Sequence, residues 1–285
     1  MEDVNTAVTT PTARRVVRVR PDAGVFDLDL AAVWRYRELL VFLVWREIKV
    51  RYKQAALGAA WAIVQPIFAV TIFTIVFSLF AKIPSDGQPY AVFAYSAYLP
   101  WFYFQESFRR SSVGLVGDAE LVRKVYFPRL IIPLAMISAP LIDFALGFLV
   151  FLPLMFWFGA TPTWHIVFVP CWLMIAGGLA LGCGLWLGPI NVRYRDVMHT
   201  LPFALQLWMY ATPVVYPLSM VPEDWRGLYS LNPMVGVVEG FRWSLLGTGQ
   251  PDMRAVGISL VVVAVILTSG LLFFRRMEKS FADVI

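Results

Sequence analysis

Long stretches with at most one charged side chain constrain the fold of this 285-residue chain more than any other feature. A helix needs about 20 mostly apolar residues to cross the roughly 30 Å hydrocarbon core of a bilayer. The stretches that are long and apolar enough lie at residues 55–81, 88–108, 130–158, 166–190, 197–216 and 255–274. The sequence therefore predicts an all-α integral membrane protein with six transmembrane helices, in one transmembrane domain over residues 54–276.

The composition argues against a water-soluble enzyme. Hydrophobic residues make up 59% of the chain and charged residues only 15%, whereas about a quarter of the residues of a soluble domain are charged. The sequence contains neither a P-loop motif nor a Gly-x-Ser-x-Gly nucleophile motif. His165 and His199 stand alone, and Cys171 and Cys183 have no metal-ligand spacing. We therefore expect no catalytic residue, no metal site and no cofactor bound by this chain.

The distribution of Lys and Arg predicts the orientation. Counted over the predicted connections, 20 of the 24 basic residues lie on the side that carries both termini, and four lie on the other side. Basic residues accumulate on the cytoplasmic side of membrane proteins, so both termini are predicted to be cytoplasmic. Because the basic residues separate apolar runs, they indicate topology and not a nucleic-acid partner. Residues 1–28 are predicted to be a flexible cytoplasmic arm and residues 277–285 a cytoplasmic tail.

The segment before the first span predicts an amphipathic interface helix over residues 29–53. Four of its apolar side chains repeat at helical spacing: Val41, Trp45, Ile48 and Tyr52. Three of its cations share another face: Arg46, Lys49 and Lys53. Such a helix would lie along the membrane surface with its cations toward the lipid headgroups. It is either a simple flank of the first span or a platform on which a cytoplasmic partner docks.

Between the second and third spans, residues 117–127 predict a short cytoplasmic helix. Acidic residues come first and basic residues last, which suits the helix dipole, and Pro128 ends the helix. Its charged residues are Asp118, Glu120, Arg123 and Lys124. A connector alone needs fewer residues, so this length indicates contact with a cytoplasmic partner. The other cytoplasmic connection, residues 191–196, is interpreted as a topological anchor.

Of the nineteen residues from 90 to 108, nine are aromatic. They form an interfacial aromatic belt, or they present rings to the protein interior, where rings along a polar path can stack on sugars. Asp143 in the third span is a second candidate, because ionisable groups inside a membrane are costly and face a cavity or a partner. Its carboxylate either lines a hydrated path or takes part in a buried structural hydrogen bond.

The region 217–247 is apolar but repeatedly interrupted by proline, which predicts short re-entrant helices on the outer side. Glu239 and Arg242 are three positions apart and could form an ion pair. That pair would be either a gate latch or an ordinary surface pair.

Five segments, in order along the chain, resemble the membrane subunit of type-2 ABC exporters that move polysaccharides, with O-antigen and related lipid-linked polysaccharide permeases as the nearest likeness. They are WREIKVRYKQ at 45–54, KVYFPR at 124–129, NVRYRD at 191–196, TPVVYP at 212–217 and NPMVGVVEGFRW at 232–243. The resemblance extends over residues 30–276 and does not include the N-terminal arm.

The resemblance implies a bacterial inner-membrane exporter in which two copies of this chain pair with two separate ATPase subunits. ATP and Mg²⁺ would be used by the ATPase, and a polyprenyl-pyrophosphate-linked glycan would cross at the interface of the two permeases. The alternatives are a type-2 exporter of lipids or drugs, and a membrane-embedded glycosyltransferase or acyltransferase.

The resemblance also assigns roles to residues. The expected substrate path is lined by Tyr98, Trp101, Phe102, Tyr103 and Asp143. Lipid headgroups or the pyrophosphate would be attracted by Arg46, Lys49 and Lys53. Contact with the ATPase is expected at Asp118, Glu120, Arg123 and Lys124. The outer gate would include Pro213, Tyr216, Glu239 and Arg242.

Overall fold

The computed structural model describes residues 30–53, 60–247, 252–278 and 281. Within these ranges the chain is helical and contains no β-strand, which confirms the predicted all-α class. The predicted arm at 1–28 lies outside the described residues, as does most of the predicted tail at 277–285.

The helices follow one another in this order. They are α1 (Leu30–Arg35), α2 (Arg37–Lys53), α3 (Ala60–Phe73), α4 (Tyr90–Gly117), α5 (Ala119–Lys124), α6 (Ile131–Ser138), α7 (Pro140–Trp157), α8 (Val169–Arg193), α9 (Val197–Tyr210), α10 (Glu223–Tyr229), α11 (Pro233–Leu246) and α12 (Met253–Glu278). A π-helix over Thr74–Phe80 continues α3, and 3₁₀ turns form Trp164–Phe168 and Leu218–Met220.

Among the described residues, four helical segments are long and apolar enough to cross a membrane. They are Ala60–Phe80, Ile131–Trp157, Trp164–Arg193 and Met253–Glu278. They correspond to the predicted first, third, fourth and sixth spans. The third is built from α6 and α7, which meet at Ala139 directly before Pro140.

The two other predicted spans differ from a simple apolar helix. The segment predicted at 88–108 is α4, whose 28 residues are long enough but include tyrosines, serines and charged residues. The segment predicted at 197–216 forms a helix only to Tyr210, and its 14 residues extend about 21 Å, less than the thickness of the hydrocarbon core. The count of six spans therefore stays a prediction.

The centre of the bundle is α4, which packs against α3, α6, α7, α8, α9 and α11. Most of its side chains are buried, as expected of a helix surrounded by other helices. The closest approach is to α8, where a Cβ on Gly184 would lie 1.9 Å from the hydroxyl oxygen of Ser111. Small residues permit such close contact between membrane helices.

A second, smaller core lies at the end of the bundle that carries α5, called here the α5 end. It joins side chains from α2, α4, α5, α6, α8 and α12, among them Leu43, Val122 and Phe274, with Phe127 and Phe281 from outside these helices. The opposite end carries α11 and is called the α11 end. The α5 end is thus held together by segments that are more than 200 residues apart in sequence.

Three predicted segments have different boundaries in the structure. The interface helix predicted at 29–53 is divided near Tyr36 into α1 and α2. The connecting helix predicted at 117–127 is the shorter α5. The region 217–247 contains a 3₁₀ turn, α10 and α11.

Candidate functional site

Charged side chains of α2 point toward the helix bundle at the α5 end. The Nη2 atom of Arg46 donates to both carboxylate oxygens of Asp118, at 2.6 and 2.7 Å. Asp118 is the residue between α4 and α5. The neighbouring Glu47 accepts a hydrogen bond of 3.3 Å from Nη1 of Arg110 in α4. The helix α2 is therefore tied to α4 at two points, one of them directly before α5.

The C-terminal turn of α2 reaches α7. Both Arg51 and Tyr52 donate hydrogen bonds to the carboxylate of Asp143. That carboxylate is only 2% exposed, so without these partners its charge would be buried and uncompensated. Of the two alternatives for Asp143, the structure provides the buried hydrogen bonds, and contact with substrate stays a prediction.

Glu106 of α4 connects these two groups of contacts. Its Oε1 atom lies 3.7 Å from Nη1 of Arg51 and accepts from Nε of Arg110 at 2.7 Å. It also forms a bidentate pair with Arg109, with distances of 2.8 and 3.0 Å. Three guanidinium groups from two helices thus converge on one carboxylate.

These side chains make up what we call the charge network. Its members are Arg46, Glu47, Arg51, Tyr52, Glu106, Arg109, Arg110, Asp118 and Asp143. Four arginines balance four carboxylates, so the network is electrically neutral. Burial raises the pKa of the Tyr52 phenol and its hydrogen bond to Asp143 raises that pKa further, so that Tyr52 stays a donor.

The charge network is suited to transmit displacement between helices. In a partly buried pair the attraction between opposite charges is strong, and separating the charges leaves both of them poorly solvated. A displacement of α5 therefore acts on Asp118 and Arg46, and through α2 on Asp143 of α7. The network links α2, α4, α7 and the residue directly before α5 through ion pairs and hydrogen bonds.

The predicted ATPase-coupling residues lie on and next to α5. Glu120 and Lys124 are exposed and pair with each other at 2.6 Å, and Arg123 is also exposed. Asp118 differs from them, because it is bound to Arg46 and faces the bundle. Contact with a partner subunit stays a prediction for all four.

The three cations predicted for headgroup or pyrophosphate attraction are not equivalent. Lys49 and Lys53 are exposed, and the Lys49 ammonium lies 5.4 Å from the centre of the Trp45 ring. Arg46 instead binds Asp118, so its guanidinium is held by a protein carboxylate. Attraction of an anionic group stays a prediction for all three.

The aromatic rings predicted for the substrate path are buried inside this chain. Tyr98 stacks on Phe102, the Trp101 indole donates to Gln105 at 2.9 Å, and the Tyr103 hydroxyl donates to the carbonyl of Ile137 at 3.3 Å. The aromatic residues of α4 thus present their rings to the protein interior, one of the two alternatives drawn from the sequence. Contact with sugars stays a prediction.

At the α11 end, the pair expected from the spacing of Glu239 and Arg242 is present, at 2.6 Å. Arg242 is buried, donates to the carbonyl of Pro213 at 2.8 Å and lies with its guanidinium carbon 3.8 Å from the centre of the Phe93 ring. It therefore joins α11 to α4 and to the chain after α9. A role as a gate stays a prediction.

Tyr216 belongs to the same predicted gate. Its hydroxyl donates to the carbonyl of Tyr210 at 2.8 Å and shares a hydrogen bond with the Tyr229 hydroxyl of α10. The chain after α9 is thus attached to α10 as well as to α11.

Sequence reasoning missed Glu47, Arg51 and Arg110 as members of a site. Glu47 and Arg51 are four positions apart on α2, a spacing that is typical of a local helical pair. Their partners lie on α4 and α7, about 60 and 90 residues away. A local pattern carries no signal for such pairs.

In the part of the chain that the structure describes, no three His, Cys, Asp or Glu side chains lie close enough together to hold a metal ion.

Comparison with known proteins places the chain in a family. The family described as ABC-2 type transporter matches residues 38–246. The O-antigen export system permease protein RfbA of Myxococcus xanthus is 31% identical over 255 residues, which are 89% of this chain and 97% of that protein. The protein of the same name from Klebsiella pneumoniae is 25% identical over 252 residues, 87% of this chain and 95% of its own length.

A further relative is named for the transport of another polymer, polysialic acid. The polysialic acid transport protein KpsM of Escherichia coli is 25% identical over 247 residues, covering 82% of this chain and 92% of that protein. The family match spans more than half of the chain, and the Myxococcus relative is similar over nearly its whole length. The chain therefore belongs to the ABC-2 type transporter family.

Proposed function

We propose that this chain is the transmembrane subunit of an ATP-driven ABC exporter for a polysaccharide in the bacterial inner membrane. The observation that carries the proposal is the similarity to the O-antigen permease of Myxococcus xanthus over 97% of that protein. A second polysaccharide permease, KpsM, is similar over 92% of its length. The chain is a transport subunit and not an enzyme.

The substrate of the proposal is a glycan linked to polyprenyl pyrophosphate. Its support is chemical. The exposed cations Lys49 and Lys53 of α2 lie on the same helix as exposed apolar side chains such as Trp45. A surface of this kind suits a ligand with a lipid tail and an anionic headgroup.

The partner of the proposal is a separate ATPase, with two copies of it serving two copies of this chain. Its contact would be centred on α5 and the two residues after it, because Val125 and Tyr126 are exposed next to the exposed Arg123 and Lys124 of α5. Val122 and Phe127 are buried on either side of that surface and hold it against the bundle. ATP and Mg²⁺ would be used by the ATPase, which fits the absence of a P-loop motif from this sequence.

In the proposed mechanism, nucleotide binding and hydrolysis displace α5, and the charge network passes this displacement to α2, α4 and α7. The α5 end and both termini are cytoplasmic, and the α11 end faces outward. Tyr98, Trp101, Phe102 and Tyr103 would contact sugars. Because these rings are buried, α4 must first separate from its neighbours.

Co-purification tests the partner. The tagged permease is extracted in a mild detergent with the ATPase co-expressed, and the bound ATPase is quantified together with its turnover. We expect Tyr126→Asp, two residues after the end of α5, to abolish co-purification. Tyr194→Asp is the matched control, because Tyr194 is an exposed tyrosine on the other connection of the same side, and it should leave the complex intact.

Export tests the substrate. In a strain deleted for its own O-antigen permease, this chain and its ATPase should restore glycan at the cell surface. A permease that purifies alone and binds no ATPase would contradict the exporter proposal and favour an embedded transferase. A complex that exports a small lipophile and no glycan would instead favour the lipid or drug alternative.

A further inference from the structure

Three aromatic rings form a tilted stack, with interplanar angles of 33° and 46°, where the 3₁₀ turn Trp164–Phe168 meets the C-terminal turn of α11. The imidazole of His165 lies between two indoles, with ring centres 4.3 Å from Trp164 and 4.1 Å from Trp243. Trp243 is half-buried, whereas Trp164 is 72% exposed. The stack is therefore anchored in the protein through Trp243, and the Trp164 ring is largely exposed.

Hydrogen bonds fix this stack to α11. The Thr163 hydroxyl donates to the carbonyl of Ser244 at 3.2 Å, and Nδ1 of His165 lies 3.2 Å from the same hydroxyl. Gly247 ends α11 in the left-handed region, with φ of 66°, and a Cβ there would lie 2.6 Å from the Thr163 methyl. The glycine thus allows the loop and the end of α11 to touch.

The length of α8 places this stack beyond the hydrocarbon of the membrane. Its 25 residues extend about 37 Å, already more than the roughly 30 Å of the hydrocarbon core. The 3₁₀ turn that precedes it adds about 2 Å per residue. With Arg193 at the opposite boundary and the turn in line with α8, Trp164 lies about 17 Å outside the hydrocarbon, beyond the headgroup region where interfacial tryptophans lie.

We propose that Trp164, His165 and Trp243 form a carbohydrate-binding platform on the α11 end, which the glycan contacts as it leaves the membrane. An exposed indole offers a flat apolar face to the C–H groups of a sugar ring, and nearby polar groups can bind its hydroxyls. The Thr163 hydroxyl and the imidazole supply those polar groups. This inference rests on the proposed function, since it assigns an exit contact to the same polysaccharide.

Trp157 provides a matched control for the platform. It is the last residue of α7, seven positions before Trp164, and is 86% exposed. In the described part of the chain, no aromatic ring lies against Trp157 as His165 lies against Trp164. An exposed tryptophan that serves only as a membrane anchor should behave in the same way at both positions.

The experiment measures glycan binding and glycan export together. The probe is the polysaccharide released by mild acid from the lipopolysaccharide of a strain in which wild-type permease supports export. Its affinity for permease in lipid nanodiscs is measured by calorimetry. We expect Trp164→Ala to weaken binding about tenfold, as for an aromatic contact residue, and Trp164→Phe to stay within about threefold of wild type. Trp157→Ala should bind like wild type.

Equal affinity of Trp164→Ala and Trp157→Ala, in a permease that exports glycan, would overturn the platform and leave the proposed function standing. If the wild-type complex neither exports nor binds the glycan, the proposed function fails and the platform fails with it. Size-exclusion profiles of the complexes check that each variant remains assembled.

Discussion

Removing the cation that neutralises Asp143 should destabilise the α5 end of the bundle. In Arg51→Met the Asp143 carboxylate stays buried and keeps only the hydroxyl of Tyr52 as a donor in the charge network. Breaking a buried ion pair from one side costs about 3–5 kcal/mol. Arg51 is about one-quarter exposed, and solvent screens its charge in part, so we expect a loss below this range, about 2–3 kcal/mol.

A double-mutant cycle isolates the pair from other effects. Asp143→Asn removes the charge and keeps an acceptor for Tyr52, which should cost about 1 kcal/mol. In the double variant no buried charge is left alone. The combined loss should therefore be smaller than the sum of the two single losses, by about 1.5 kcal/mol or more.

The free energy of unfolding would be measured in mixed micelles of SDS and a mild detergent, followed by the fluorescence of the 11 tryptophans. Arg226→Met is the control, because Arg226 pairs with the largely exposed Glu223 and should lose less than about 0.5 kcal/mol. A coupling energy below about 0.5 kcal/mol, or equal losses for Arg51→Met and Arg226→Met, would refute the argument for the charge network.

Three further predictions concern packing at the two ends, each checked by the same unfolding assay. Arg242→Met leaves a partly buried carboxylate and a buried carbonyl without their donor and should cost about 2–3 kcal/mol, whereas a loss below about 1 kcal/mol would mean that water replaces the guanidinium. Phe281→Ala empties a fully buried position and should cost about 3–5 kcal/mol, clearly more than the half-buried Phe273→Ala. Gly240→Ala should cost about 1–3 kcal/mol because its Cβ would lie 2.4 Å from an indole, and Gly227→Ala, with open space around it, should not.

Much of the helical framework could be predicted from apolar stretches. The spans expected at 130–158, 166–190 and 255–274 all correspond to helices long and apolar enough to cross a membrane. The boundaries were less predictable where proline and aromatic residues interrupt the pattern. The helix expected over 197–216 ends at Tyr210, before Pro213 and Pro217. A proline lacks the donor that would continue the helix, but the exact end depends on the packing around it.

Of the candidate site, local patterns identified single residues and one ion pair. Glu239 and Arg242 were expected to pair because three positions on a helix bring side chains together. The burial of Arg242 against Phe93 and its bond to the carbonyl of Pro213 could not be foreseen, because these partners come from two distant segments. The same reason explains why the rings of α4 could be assigned either to an interfacial belt or to the interior.

By itself, the sequence determined that this protein needs a lipid environment and that its structure is helical. Apolar stretches of about 20 residues need lipid, and a backbone in lipid must satisfy its own hydrogen bonds, which makes helices the outcome. What only the tertiary structure decided is the set of partners. Arg46, a surface cation by its sequence, binds Asp118, and Asp143 finds its donors on α2. A charge in a low-dielectric interior selects the nearest opposite charge in space, and the folding of the chain, not local spacing, determines which residue that is.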